Sequence, residues 1–235
     1  MKDLLIKYDF KKNIDPNEIV NKLNSGRYII QIKNFPKEDL IYETFISKLG
    51  NPIIERRNNK GRSVFDVKIS RQNNLFKSLA NSNLRLPLHT DCSDFEKIPN
   101  CIGLLCIETA IEKQGINNFA FLKNILKKLS QQDLNYLIKK KWSFRNQNRS
   151  ILSQKKDYYG ICYDRVMIES FSEISQNEVE KLNQLDEIFE SCKFNFQLKE
   201  GYLVLFRNDL ILHGREGFEQ GSERLIKRVR FNTFN

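Results

Sequence analysis

Only two histidines occur among the 235 residues, and each stands in a stretch suited to holding a metal ion. His89 lies in Leu86-Pro-Leu-His-Thr-Asp91, and His213 lies in Asn208-Asp-Leu-Ile-Leu-His-Gly-Arg215. In extended backbone, residues i and i+2 point the same way, so His89 and Asp91 can reach one ion while Thr90 points away. With His213 brought from elsewhere, the set becomes two imidazoles and one carboxylate on one face of an iron. Three positions then stay open, which is what a bidentate oxoacid and O2 require. A His-x-Asp triplet alone also fits a structural histidine, so the surroundings of His213 have to decide.

These residues need elements to position them. Asp15-Pro16-Asn17-Glu18 joins an N-cap, a proline at the first helical position and a glutamate at the third, which predicts a short helix through Ile19, Val20 and Leu23 to Ser25-Gly26. The alternation of 28–33 predicts a strand, 37–49 a second helix closed by Gly50-Asn51-Pro52, and 63–69 and 101–108 two more strands. Across 119–140, Phe121, Ile125, Leu129, Leu134, Leu137 and Ile138 recur at helical spacing, with a second start at Ser130. Ser175-Gln-Asn-Glu178 is a capping box opening a helix to about Ser191. Phe194–Leu198 and Tyr202–Phe206 flank Lys199-Glu-Gly201 as a predicted hairpin, so that His213 follows its apolar second strand. Short strands, outer helices and no βαβ alternation give an α+β chain built on a β-sandwich or barrel with helical supports.

At 235 residues and 40% hydrophobic, the chain can bury one sizeable core, and a single domain spanning 1–235 is expected. The five cysteines are scattered without a CxxC pair, which points to buried thiols in a reducing compartment. No secretory signal or membrane-spanning stretch is read, so a soluble cytoplasmic protein is expected. The formal charge of +10 raises the question of nucleic acid, but the basic residues are spread out and no recognised nucleic-acid signature accompanies them. A solvated basic face accounts for Lys139-Lys140-Lys141.

Taken together, Leu-Pro-Leu-His89-Thr-Asp91, Gly201-Tyr-Leu-Val-Leu-Phe-Arg-Asn208 leading into Leu212-His-Gly-Arg-Glu-Gly-Phe218, and Glu223-Arg-Leu-Ile-Lys-Arg-Val-Arg230 resemble the taurine-dioxygenase-like superfamily of Fe(II)/2-oxoglutarate oxygenases. That branch also holds clavaminate synthase and hydroxylases of free arginine and asparagine. The resemblance implies a double-stranded β-helix (jelly-roll) core with flanking helices, and Fe(II) bound by His89, Asp91 and His213. It implies 2-oxoglutarate and O2 as co-substrates, with Arg224 pairing the far carboxylate of the oxoacid. A planar guanidinium suits that task, being bidentate and a permanent cation.

Arg228 corresponds to the arginine facing the substrate end and is a candidate anchor for an anionic group, although Arg228 and Arg230 could equally decorate a basic strand. Arg215 is expected in an internal salt bridge, and Asn208 on the backbone of the turn beside it. One departure stands out: members carry a Gly-Gly-Glu-Thr-like segment where this chain has Gln114-Gly-Ile-Asn117, so Asn117 would contact the oxoacid through its amide.

Halogenating relatives replace the carboxylate ligand with a small residue. Asp91 is present, which favours hydroxylation or desaturation, with release of succinate and CO2. The motif pattern looks closest to members acting on small amino acids, with Tyr163-Asp164-Arg165 offering partners for an ammonium and a carboxylate. The expected partner is therefore a small polar, amino-acid-like substrate; a homo-oligomer stays open. Two other readings remain: a basic nucleic-acid-binding module, and a degenerate oxygenase fold without catalysis. A cupin metalloenzyme is disfavoured by the histidine count.

Overall fold

The computed structural model describes residues 4–54, 61–69, 79–111 and 113–234. In chain order it runs through strand β1 (Leu5–Asp9), helix α1 (Pro16–Asn24), β2 (Ile29–Lys33), α2 (Asp39–Ser47), β3 (Gly50–Pro52), β4 (Phe65–Val67), β5 (Leu86–His89), β6 (Cys101–Glu108) and β7 (Asn117–Phe121). It continues with α3 (Leu122–Leu126), α4 (Gln131–Lys139), β8 (Lys141–Phe144), β9 (Gln147–Ser150), β10 (Leu152–Gln154), β11 (Tyr159–Ile161), α5 (Arg165–Phe171) and α6 (Gln176–Ser191). The chain then passes through β12 (Phe194–Phe196), β13 (Leu203–Arg207), β14 (Ile211–Arg215) and β15 (Leu225–Thr233).

Two sheets carry the architecture. The larger has the order β1-β2-β13-β6-β15-β3, with β4 also on β15, and the smaller has the order β12-β7-β14-β5. Inward residues of both sheets share one buried cluster, in which Ile102, Leu104, Val204, Phe206 and Ile226 meet Phe119, Phe121 and Ile211. The other face of the large sheet, through Leu105, Leu205, Val229 and Phe231, packs on Ile19 and Leu23 of α1 and Tyr42 and Ile46 of α2. The other face of the small sheet, through Leu88, Ala120 and Leu212, packs on Leu182, Leu185 and Phe189 of α6. The molecule is thus a mixed α/β sandwich, with helices outside both sheets. Each large side chain buried in it contributes about 1.5–3 kcal/mol of apolar transfer. Strands covered on both faces read as unbroken apolar runs, which is why Cys101–Ile107 lacks alternation.

The helix starts at Asp15 and Ser175 predicted from the sequence are present. Asp15 accepts from the Asn17 N–H at 2.9 Å ahead of α1, and the Ser175/Glu178 capping box opens α6. Two expectations change. Phe119–Phe121 belongs to β7 and not to a helix, since a strand buried on both faces shows no period of two to mark it. Phe194–Phe196 and Leu203–Arg207 are not a hairpin: β12 pairs with β7 in the small sheet, whereas β13 pairs with β2 and β6 in the large one. Among the described residues no helix is long and apolar enough to cross a membrane.

Candidate active site

Strands β5 and β14 are neighbours, in a register that sets His213 opposite His89. Along β14, Ile211 faces the core between the sheets and Leu212 the outer helices, so His213 faces inward by parity. There it packs on Phe206 at 5.0 Å between ring centroids and on His89 at 4.4 Å. Nδ1 of His89 lies 2.9 Å from the Pro87 carbonyl. That contact needs a proton on Nδ1, which leaves the lone pair on Nε2. Burial, then the neighbouring His89, hold the His213 pKa well below the ordinary histidine value, although Asp91 pulls the other way. His213 is therefore a neutral ring, the form that binds metal. Its buried Nδ1 has no partner among the described residues, a cost that a bound group would relieve.

The glycine after His213 has a steric cause. A Cβ on Gly214 would stand 2.6 Å from the Leu86 carbonyl oxygen and 3.0 Å from the Pro87 carbonyl, where the strands close in beside a register shift. Pro87 is also the residue that holds the His89 ring.

Asp91 lies two residues beyond β5, and Asn208 pins its backbone rather than the turn near His213. The Asp91 N–H donates to Asn208 Oδ1 at 2.9 Å, while Asn208 Nδ2 donates to the carbonyls of Asp91 at 3.0 Å and Pro99 at 2.9 Å. Arg230 takes the carboxylate through Nε to Oδ2 at 2.9 Å and Nη2 to Oδ1 at 3.0 Å. Arg228 Nη1 stands 3.1 Å from Oδ2 and 3.4 Å from Oδ1. Burial pushes the Asp91 carboxyl up, but Arg228 and Arg230 together outweigh it and hold the group well below the usual carboxylate range.

With the Asp91 oxygens turned to these arginines, no three His, Cys, Asp or Glu side chains among the described residues form a ready metal cluster. The donor chemistry nevertheless suits one: two imidazoles and an anionic carboxylate with about four lone-pair sites, of which the arginines hold three closely.

Arg224 stands just before β15, 6% exposed, and pairs with no carboxylate among the described residues. Burial pulls its pKa down to about 10, so it remains a cation at neutral pH. It lies over the Phe218 ring at 5.6 Å, with Arg215 over the same ring at 4.5 Å. Arg215 makes no salt bridge among the described residues, contrary to expectation. It donates to the main-chain carbonyls of Ser82 at 2.8 Å and Glu216 at 3.1 Å, and burial followed by Arg224 pulls its pKa down to about 9. The Gln114–Asn117 segment lies against Arg224: Gly115, at φ +60°, would put a Cβ 3.4 Å from Arg224 Cδ and Nε. Asn117 pairs with Arg215 in register, and its buried Oδ1 has no partner among the described residues.

The expected substrate residues are less concentrated. Arg228 sits on Asp91. Asp164 caps α5, accepting from the Met167 N–H at 3.1 Å, and takes a long contact from Ser93 Oγ at 3.5 Å. Arg165 corrects the expectation: its guanidinium binds Glu169 at 2.7 Å, Asp186 at 2.8 Å and Asn183 at 2.9 Å, and this α5–α6 cluster takes the bonds a substrate carboxylate would need. Arg230 was not singled out from the sequence. Its signal was parity with Arg228 on one strand.

Residues 162–230 match the family of the taurine catabolism dioxygenases, TauD and TfdA. Over this stretch, less than a third of its length, the chain is similar to that family. The match includes His213, Arg224, Arg228 and Arg230 and stops short of His89 and Asp91. The match supports an oxygenase of the kind that works with Fe(II), 2-oxoglutarate and O2. No curated protein matches it by sequence.

Solved structures of similar fold include an asparagine oxygenase, AsnO, with a TM-score of 0.75 at 17% identity over 93% of this chain and 79% of that one. A taurine dioxygenase from Burkholderia xenovorans gives 0.72 at 15% over 97% and 88%. The non-heme iron oxygenase OrfP with Fe and alpha-ketoglutaric acid gives 0.71 at 15% over 93% and 79%. At such identities the likeness concerns the fold.

Proposed function

We propose that this single-domain, cytoplasmic TauD-like oxygenase hydroxylates, or by the same oxidant desaturates, a small polar, amino-acid-like substrate inside a double-stranded β-helix. His89, Asp91 and His213 would hold Fe(II), and Arg224, with Asn117 beside it, would take the far carboxylate of 2-oxoglutarate. The metal with 2-oxoglutarate and O2 supplies an oxidant strong enough for an unactivated C–H bond, releasing succinate and CO2. The protein's part is position and dryness. Pro87 fixes the His89 tautomer, Asn208 fixes the Asp91 backbone, and Phe206 shields His213 from water.

The observation that carries this reading is Arg224, a buried guanidinium without a carboxylate of its own among the described residues. Burying such a cation is costly unless an anion joins it. An oxoacid bound beside the two histidines would be that anion.

Asparagine oxygenase has been solved with 3-hydroxyasparagine and succinate, and OrfP with hydroxyarginine. Those ligands support the amino-acid class here, with Arg228 and Asp164 as candidate partners for its charged groups. Anaerobic Fe(II) with 2-oxoglutarate should give a weak visible charge-transfer band that His213→Ala abolishes. A screen of free amino acids should then find one that raises succinate release above the uncoupled rate. Absence of the band together with salt-sensitive retardation of DNA would favour a binding module instead.

A further inference from the structure

Arg224 has a companion. Arg215 is buried as well, makes no salt bridge among the described residues, and shares the Phe218 ring with Arg224: the two guanidiniums stand 4.5 and 5.6 Å from its centroid. They therefore lie within about 10 Å of each other, near enough for the charge of Arg224 to oppose that of Arg215.

Strand β14 places Arg215 two residues beyond His213, on the same inward face and opposite Asn117 of β7. Its guanidinium is tied to main-chain carbonyls: Nη2 donates to Ser82 at 2.8 Å and Leu79 at 3.4 Å, and Nη1 to Glu216 at 3.1 Å. Phe218 is pinned to the same turn, its N–H donating to the Asn83 carbonyl at 3.0 Å and its own carbonyl accepting from Asn83 Nδ2 at 3.2 Å. Three carbonyls thus fix Arg215 in place, and its charge acts through space. A neutral amide could serve those carbonyls, whereas burying a permanent cation for them alone is costly. A carboxylate arriving at Arg224 would offset that cost for both arginines.

We infer that Arg215 is a specificity-determining residue of the oxoacid pocket: its fixed charge favours a co-substrate that carries a carboxylate at the end reaching Arg224. This rests on the reading of Arg224 as the partner of that carboxylate. At about 10 Å and an effective dielectric constant of about 20, one unit charge changes the binding of another roughly ten-fold.

The test is an anaerobic calorimetric titration of the Fe(II)-loaded protein with 2-oxoglutarate and with 2-oxopentanoate, an oxoacid of the same chain length without the far carboxylate. Wild type should prefer 2-oxoglutarate. Arg215→Gln, which keeps amide donors for the carbonyls but removes the charge, should lose roughly ten-fold of that preference, with 2-oxopentanoate little affected. Arg215→Lys should keep it. Urea unfolding gives a second readout without oxoacid: Arg224→Met should stabilise the protein less when Arg215 is already neutral. If Arg215→Gln does not fold, Arg215→Met, whose apolar stem still covers Phe218, takes its place. Equal weakening of both oxoacids would make Arg215 a structural clamp. That outcome, an unchanged preference, a loss in Arg215→Lys as large as in Arg215→Gln, or additive unfolding effects would each overturn the inference. A wild type that binds neither oxoacid, or an Arg224→Met variant that binds 2-oxoglutarate normally, would instead remove the function reading beneath it.

Discussion

Replacing Arg224 with methionine should move stability and co-substrate affinity in opposite directions. In the fold, burial lowers its pKa from the ordinary arginine value to about 10. At 1.36 kcal/mol per pH unit that corresponds to about 3 kcal/mol of desolvation left unanswered in the protein alone. The cation–π contact with Phe218 at 5.6 Å offsets about 1 kcal/mol of it. Arg224→Met keeps a long apolar stem in place and removes the charge, so the protein without oxoacid should gain roughly 1–3 kcal/mol. At about 2–4 °C per kcal/mol for a chain of this size, its melting midpoint should rise accordingly.

Binding should suffer from the same change. Losing one partner of a buried, hydrogen-bonded charge pair costs about 2–5 kcal/mol, roughly 30- to 5000-fold in the Kd for 2-oxoglutarate. Urea unfolding gives the first quantity, and anaerobic titration of the Fe(II)-loaded protein gives the second. A variant that is less stable and still binds 2-oxoglutarate normally would show Arg224 to be an ordinary core residue, and the oxoacid assignment would fail.

Three further outcomes follow from named contacts. His213 stays neutral in the fold while a free histidine titrates near 6.5, so the unfolded chain takes the proton first. Stability is full above that value and falls as pH drops below it, by at most about 1.4 kcal/mol per unit, and His213→Gln should flatten the difference between urea midpoints at about pH 7.5 and about pH 5.5. Gly214→Ala drives a methyl into the Leu86 and Pro87 carbonyls and must spread β5 from β14, so Fe(II) affinity should fall along with stability; an unchanged titration would mean that the Pro87 hold on His89 is dispensable. Arg165→Ala should leave the substrate KM unchanged and cost about 1 kcal/mol through the Tyr163–Asp186 cluster, whereas a large rise in KM would restore it to the substrate site.

The residues most legible in the sequence were those whose chemistry is local. Asp15-Pro16 and Ser175-Gln-Asn-Glu178 bond within one turn, so their helices could be read directly. The scarcity of histidine drew attention to His89 and His213, which the fold sets opposite each other. What escaped is non-local. Phe121 sits at helical spacing from Ile125, yet it lies with Phe119 in a central strand whose partners come from distant parts of the chain. From the sequence, Arg228 and Arg230 could equally decorate a basic strand, and only the pairing of β15 with β6 and β4 reveals that both point into the core. The partners of Arg165 are a helix away in sequence, so nothing beside it announced that its guanidinium was already engaged.

The strand order bears on how this site comes into being. In the small sheet no two neighbours are consecutive in the chain, and in the large one only β1 and β2 are. His213 finds His89, Leu203 finds Ile32 and Phe231 finds Pro52, each across a long stretch of sequence. No hairpin within either main sheet can nucleate it, so loop closure must be completed before pairing returns any free energy, and folding belongs to the slow, high-contact-order regime of milliseconds to seconds. Imidazoles, carboxylate and arginines are thus gathered in one late step. On the proposed assignment, a partly folded chain would have no half-built site in which to trap iron, and loading with metal would mark that folding is complete.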